Sequence, residues 1–366
     1  MTDARNPLLH VEVRENRGGR SIRPGPVVDA LVGLVTSGYP PGIALAVVDR
    51  QGPLMLGYGG SACVIGDPVP LARDTLFDLA SLTKVVVTVP LALILSQRAL
   101  WSLSDPVAAW VPDFPRPDTT LWNLLTHTSG LVPHRPFYVT CRGATAVRKA
   151  VCEEARDSQP TDEVCYSDLN FMLLGWAVER CAAARLDELF SREIATPLGM
   201  PHTRFRPPTR ARLRTAATEL DSDQRTEKGL IWGAVHDGNA FALGGVAGHA
   251  GLFAPLGDVA SFARALLDPP RHPALSEASI AAFSTRQAGR SPDVRGLGWR
   301  LEPNEWGAWP AGTYWHTGFT GTSLLVSPER GVAVVLLMNG VHPHRRPEEQ
   351  AAVRSRVHST IAEVCQ

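Results

Sequence analysis

The sequence lacks the features of a strongly charged, exported or membrane-spanning protein. Its 366 residues carry 36 basic and 36 acidic side chains, and this balance indicates no nucleic-acid partner and no charged membrane surface. The N-terminus contains no apolar signal-peptide core, and the longest apolar run, residues 85–95, is too short to cross a bilayer. We therefore expect a cytoplasmic protein without a membrane or an obligate protein partner.

Cysteine pairs and metal-ligand clusters are also missing. The six cysteines include no CxxC pair, so reduced thiols are expected in a chain of this length. His342 and His344 form an HxH pair, but no cysteine or acidic cluster accompanies it. Neither a metal nor an organic cofactor is implied.

Lysine is the scarcest charged residue. Only three of the 36 basic residues are lysines, namely Lys84, Lys149 and Lys228. Arginine stays protonated in proteins, whereas a desolvated lysine can lose its proton. Lys84, which precedes three valines, is therefore a candidate for chemistry.

Strand and helix patterns divide the chain into three parts. Residues 1–24 are polar and are expected to form a loose N-terminal arm. Residues 25–74 contain a helix and a hairpin, with strands at 43–48 and 54–58. Helical patterns dominate residues 75–284, and strands return in residues 285–366, at 314–317, 322–326 and 332–338, before a last helix from Pro347.

This order predicts an α/β (α+β) fold. An antiparallel sheet would be built from both ends of the chain, 25–74 plus 285–366, and flanked by helices. Residues 75–284 would form an inserted, mainly helical domain. A cleft between the two parts is the natural position for a site.

The segment Ser81-Leu82-Thr83-Lys84 is the first candidate for chemistry. On a helix, residues three apart share a face, so the Lys84 amine can reach the Ser81 hydroxyl. A serine hydroxyl is a weak nucleophile without an adjacent base, and a helix N-terminus favours a developing alkoxide. Taken alone, the segment is more readily explained by a capped helix that carries a surface lysine.

Two further segments supply matching groups. The tyrosine in Tyr166-Ser167-Asp168 can shuttle a proton, although a core tyrosine before a capped helix gives the same pattern. The run His316-Thr317-Gly318-Phe319 follows a predicted strand, where backbone N–H groups can stabilise an oxyanion. A glycine-rich hairpin turn is the alternative interpretation of that run.

Together, these segments resemble the superfamily of serine β-lactamases and penicillin-binding proteins. The branch of class C β-lactamases, D-alanyl-D-alanine carboxypeptidases, D-aminopeptidases and β-lactamase-like esterases is the most similar. Residues 124–131 (LLTHTSGL) and 244–253 (GGVAGHAGLF) resemble further segments of this branch. The resemblance runs from the first hairpin to the last helix.

The resemblance implies a role for each motif residue. Ser81 would be acylated, and Lys84 and Tyr166 would manage its proton. The N–H groups of Ser81 and Phe319 would form the oxyanion hole. The groups facing the substrate would be Asp168, His316, Thr317, Gly318 and Phe319.

The chain departs from the β-lactamase pattern at two positions. His316 stands where lysine is common, and it weakens the permanent charge that would anchor a substrate carboxylate. Asp168 stands where asparagine is common, and a carboxylate cannot donate a hydrogen bond as an amide does. An esterase with a small ester or amide substrate is therefore expected first.

Three alternatives remain open at this point. The first alternative is a peptidase, either a D-alanyl-D-alanine carboxypeptidase or a D-aminopeptidase. The second is a β-lactamase. The third is a non-catalytic binding or sensor module on the same fold. A G-x-S-x-G nucleophile elbow is absent, and the glycines of residues 244–251 do not open a helix as a dinucleotide-binding loop does.

Overall fold

The computed structural model describes residues 2–3, 6–14, 22–220, 229–268, 275–290 and 293–365. Its strands are β1 (Thr2–Asp3), β2 (Asn6–Val13), β3 (Gly42–Asp49), β4 (Gly52–Cys63), β5 (Val69–Pro70), β6 (Phe77–Asp78), β7 (Arg204–Phe205), β8 (Leu252–Ala254), β9 (Ala288–Arg290), β10 (Asp293–Arg295), β11 (Arg300–Leu301), β12 (Tyr314–Thr317), β13 (Ser323–Ser327) and β14 (Val332–Met338). Within those residues, the main sheet is antiparallel and runs β1-β2-β4-β3-β14-β13-β12-β11-β10-β9, with β5 paired to β4.

Along the sequence, most of the helices lie between the N-terminal and the C-terminal strands of this sheet. They are α1 (Pro24–Ser37), α2 (Val89–Gln97), α3 (Val107–Trp110), α4 (Leu121–Thr126), α5 (Phe137–Thr140), α6 (Ala144–Glu154), α7 (Asp168–Ala182), α8 (Leu186–Phe190), α9 (Gly238–Ala242), α10 (Leu256–Leu267), α11 (Glu277–Ser284) and α12 (Pro347–Val364). In the described part of the chain, no helix combines the length and the apolar content needed to cross a membrane.

The central strand β3 explains how the two halves are joined. Every residue of β3 is buried, because β4 and β14 flank it and helices cover both faces. Side chains alternate along a strand, so Ala44, Ala46 and Val48 enter one core cluster, which also contains α10 residues. The odd-numbered residues between them enter a second cluster, with apolar residues of α1 and α12.

The predicted fold class is confirmed. Strand β3, near the N-terminus, pairs with β14, near the C-terminus, in the register Ile43↔Met338 to Val48↔Ala333. Most of the helices lie in the intervening chain, together with a small sheet of β6, β8 and β7. The predicted domain boundaries after residues 74 and 284 stay a prediction.

The N-terminal segment differs from the loose arm expected from its composition. Residues 6–13 form β2, which pairs with β4 in the register Leu9↔Gly59 to Val13↔Met55. Leu9 is buried and Val11 packs against the core, whereas Glu12 and Val13 are exposed. The polar and charged residues that surround these few apolar side chains in residues 1–24 concealed the strand. The rest of the predicted arm lies largely outside the described residues.

The helix predicted from Ser81 to residue 95 is not a uniform α-helix. Residues Lys84–Thr88 form a π-helical turn, in which the Val89 N–H donates to the Lys84 carbonyl. Pro90 follows, and in a regular α-helix its ring would clash with the carbonyl of Val86. The wider turn relieves that clash, and π-turns often accompany functional sites.

Candidate active site

Ser81 lies at a strained turn between β6 and the helix. Ala80 has a φ of 47°, an uncommon value for a residue with a side chain. The buried Asp78 carboxylate accepts hydrogen bonds from the Ala80 N–H at 2.8 Å and the His236 N–H at 2.7 Å. Because these bonds hold the strained backbone, the Ser81 side chain is presented to the adjoining pocket.

Lys84 lies one turn along the same helix and is completely buried. Its Nζ atom is 2.8 Å from Ser81 Oγ, 2.7 Å from Asp168 Oδ1 and 3.3 Å from the His249 carbonyl oxygen. Burial lowers the pKa of Lys84, but the electrostatic attraction of Asp168 and Tyr166 and the hydrogen bond to Asp168 raise it by more, so the net pKa lies above its usual value. The structure therefore brings the serine and the amine together.

Tyr166 lines the same pocket as Ser81. Lys84 Nζ lies 4.9 Å from the centre of the Tyr166 ring, within the range of a cation–π contact. The buried ring of His127 packs against the ring of Tyr166, with 4.6 Å between the ring centroids. The His127 Nδ1 atom accepts the Ser167 N–H at 3.1 Å, which fixes the backbone beside Tyr166.

Asp168 begins α7, and Ser167 caps that helix by accepting the Leu169 N–H at 3.2 Å. The Asp168 carboxylate lines the pocket between Lys84 and His134, whose Nδ1 atom is 3.6 Å from Asp168 Oδ2. Burial raises the pKa of Asp168, but the charge of Lys84 and the neighbouring His134 lower it by more, so the net pKa is well below its usual value.

The His316-Thr317-Gly318 run lies against the Ser81 turn at the end of β12. Gly318 comes so close that a Cβ atom there would be 2.4 Å from the Leu79 carbonyl oxygen. Thr320 and Thr322 donate hydrogen bonds to the carbonyls of Asp78 and Leu79, at 2.7 and 3.0 Å. Only glycine permits this approach, which joins the sheet to the turn that carries Ser81.

His316 is buried beside Tyr166, with 6.0 Å between ring centroids. Its Nδ1 atom lies 2.8 Å from the Thr317 carbonyl oxygen. Burial and then the charges of Lys84 and Arg295 lower the pKa of His316 well below its usual value. His316 is therefore neutral at pH 7, unlike a lysine in this position.

Phe319 stands at the mouth of the pocket with 53% of its surface exposed. The ring stacks on His236 at 5.5 Å, and the Arg345 guanidinium lies 5.0 Å from its centre. Glu219 hydrogen-bonds both neighbours, His236 at 2.9 Å and Arg345 at 2.7 Å. In the described part of the chain, the N–H groups of Ser81 and Phe319 donate to no acceptor.

The pocket encloses about 740 Å³ and contains residues that the sequence motifs do not reveal. Asp237 lines it and binds the buried His249 at 2.8 Å between Oδ1 and Nε2. Arg295, only 3% exposed, and Arg300 also line the pocket, and both lie beside Asp293. In a chain rich in arginine, no local signal distinguishes these two. Among the described residues, no three His, Cys, Asp or Glu side chains are grouped closely enough to hold a metal ion.

Comparison with known proteins agrees with this geometry. The Beta-lactamase family model matches residues 28–358. An Escherichia coli K12 protein named "Putative D-alanyl-D-alanine carboxypeptidase" is 30% identical over 350 residues, which cover 84% of this chain and 80% of the relative.

Two solved structures share the fold. A penicillin-binding protein homologue from Caulobacter crescentus has a TM-score of 0.74 at 18% identity, covering 98% of this chain and 100% of the homologue. A class C β-lactamase from Rhodobacter sphaeroides has a TM-score of 0.73 at 19% identity, covering 93% and 100%. With a family match over most of the chain, this protein belongs to the Beta-lactamase family of serine hydrolases.

Proposed function

We propose that this protein hydrolyses small carboxylic esters through a covalent acyl-enzyme on Ser81. The observation that carries the proposal is the 2.8 Å contact between Ser81 Oγ and the buried Lys84 Nζ, inside a pocket that Tyr166 also lines. A serine hydroxyl within hydrogen-bond reach of an amine, with a second proton-carrying group beside it, is the arrangement needed for nucleophilic catalysis.

The reaction would proceed in two halves. Ser81 Oγ attacks the ester carbonyl as its proton passes into the Lys84 and Tyr166 pair, and the same pair returns a proton to the departing alcohol. The N–H groups of Ser81 and Phe319 would stabilise the negative carbonyl oxygen. Water then attacks the acyl-enzyme and releases the acid.

The residues that line the pocket favour an ester over a β-lactam as the substrate. His316 is neutral at pH 7, so it offers no permanent charge to the carboxylate of a penicillin. Asp168 is a carboxylate that cannot donate to an amide carbonyl. The exposed ring of Phe319 gives the mouth of the pocket an apolar wall for an acyl or alkoxy group.

Intact-mass spectra and steady-state kinetics test this proposal. A fluorophosphonate should give a stable adduct on Ser81, and a short-chain nitrophenyl ester a transient one. The kcat/KM for the ester should exceed that for penicillin by at least about 10-fold. Efficient penicillin hydrolysis would overturn this order, and an adduct that never decays would favour a binding or sensor module instead.

A second candidate is a D-alanyl-D-alanine carboxypeptidase, the activity in the name of the E. coli relative. The observation that favours it is the buried guanidinium of Arg295. Asp293 is its ion-pair partner, yet within the described residues its Nη1 atom has no hydrogen-bond acceptor. Arg300 lies on the same side of the pocket, and paired guanidinium groups suit a substrate carboxylate.

For this candidate we expect an acyl-D-alanyl-D-alanine acid to be a better substrate than its uncharged C-terminal amide. Arg300→Gln, at a half-buried side chain, should lower kcat/KM for the acid by about 10-fold or more and leave the amide unchanged. Arg192→Gln, at an exposed position outside this pocket, is the matched control. Equal rates for acid and amide would remove the carboxypeptidase candidate.

A further inference from the structure

We propose that Asp168 is a positioning residue that keeps Lys84 in its ammonium form before substrate binds. Lys84 would then act on Ser81 through its positive charge and its hydrogen bond, and would not itself accept the serine proton. This inference rests on the proposed function only for its catalytic consequence, because the charge of Lys84 can be observed without turnover.

The surroundings of Lys84 all favour the cation. Its three closest partners, Asp168 Oδ1, Ser81 Oγ and the His249 carbonyl oxygen, can each accept one of the three ammonium N–H groups. The rings of Tyr166 and Phe171 lie 4.9 and 5.8 Å from Nζ, within the range of a cation–π contact. Because Lys84 is fully buried, water cannot take the place of these partners.

Asp168 is the only carboxylate among these three partners. It is the first residue of the fifteen-residue helix α7, where the helix dipole favours a negative charge. A buried ammonium without a carboxylate partner would be strongly disfavoured and would release its proton. The charge of Lys84 therefore depends on Asp168 more than on any of its neutral partners.

Other titratable groups face the pair and define its electrostatic setting. His134 contacts the second oxygen of Asp168, and Asp237 reaches the pair through His249. Burial and the nearby positive charges lower the pKa of both His127 and His316 well below its usual value, so neither competes for a proton at neutral pH. The groups on the surrounding elements are Tyr166, His127, His134, Asp237, His249, Arg295 and His316.

The arrangement has a direct consequence for catalysis. An ammonium 2.8 Å from Ser81 Oγ stabilises the alkoxide as the serine proton leaves, but it has no lone pair to receive that proton. Tyr166, which lines the same pocket with its ring centre 4.9 Å from Lys84 Nζ, is then the group that we assign to receive it. Asparagine at position 168 would preserve the shape of the side chain. It would remove the negative charge that keeps Lys84 an ammonium and leaves proton acceptance to Tyr166.

The scarcity of lysine allows a direct test. A protein labelled with ¹³C in its lysine side chains contains three ε-carbons, and the K149R/K228R double variant leaves Lys84 alone. The chemical shift of this carbon reports whether the amine is charged. We expect the ammonium value throughout about pH 6 to 10, since an unperturbed lysine titrates near 10.4.

Asp168→Asn in the same background should move the Lys84 titration down by at least about 2 pH units. Asp168→Glu retains a carboxylate and should keep Lys84 charged, which separates the effect of charge from a disturbance of packing. Near-ultraviolet circular dichroism checks that each variant is folded. A neutral Lys84 at pH 7 in the parent protein, or an unchanged titration in folded Asp168→Asn, would overturn the proposal. An ammonium signal in a protein that hydrolyses no ester would leave this inference standing and remove the proposed activity.

Discussion

Replacing Ser81 with alanine is expected to abolish the covalent adduct and lower kcat for ester hydrolysis by at least about 10³-fold. In the proposed reaction the Ser81 hydroxyl is the attacking group, and no other serine hydroxyl is within reach of Lys84 in the described residues. Intact-mass spectrometry with a fluorophosphonate and a nitrophenyl ester assay measure the two effects. The Ser81 side chain is partly exposed to the pocket, so the midpoint of thermal unfolding should change little.

Ser191→Ala is the matched control for this experiment. Ser191 is exposed and lies outside the pocket, so its variant should label and turn over as the parent does. If Ser81→Ala hydrolyses the ester at a rate near that of the parent, Ser81 is not the nucleophile.

Lys84→Arg is expected to lower kcat/KM for the same ester by about 10²-fold or more. Arginine keeps the positive charge, but its planar guanidinium cannot occupy a fully enclosed site in which one nitrogen serves three acceptors at 2.7 to 3.3 Å. The expected loss therefore follows from the position of the donor, whichever group accepts the serine proton.

The kinetics are to be accompanied by a thermal unfolding curve, because a larger buried group costs stability as well. Lys149→Arg, at a side chain that is 78% exposed, should behave as the parent does. Near-full activity in folded Lys84→Arg would mean that a positive charge alone is enough at this position.

Local patterns determined much of the fold. Strands were expected at residues 314–317 and 332–338 and a last helix from Pro347, and the structure has β12, β14 and α12 there. The hairpin of β3 and β4 was likewise anticipated. In each case, apolar residues repeat with the period of the element and turn residues bound it, so the information lies within a few residues.

The same reasoning explains why the Ser81 and Lys84 contact was predictable. The two residues are one helical turn apart, and helix geometry alone places their side chains on one face. The other motif segments, which contain Tyr166 and His316, could be assigned to the site only through their resemblance to a family. Their meeting in one pocket depends on pairings that no local pattern describes.

Tertiary structure alone decided the remaining features. The sequence did not reveal that residues 6–13 pair with β4, that Asp237 binds His249, or that Arg295 lines the pocket. The ion pair of Lys84 with Asp168 joins residues 84 positions apart. The sequence by itself determined the contact of Ser81 with Lys84 and the order of the elements, since short-range periodicity governs both. The charge environment of that pair was decided by the fold, because burial and contact between distant residues set the strength of every electrostatic interaction there.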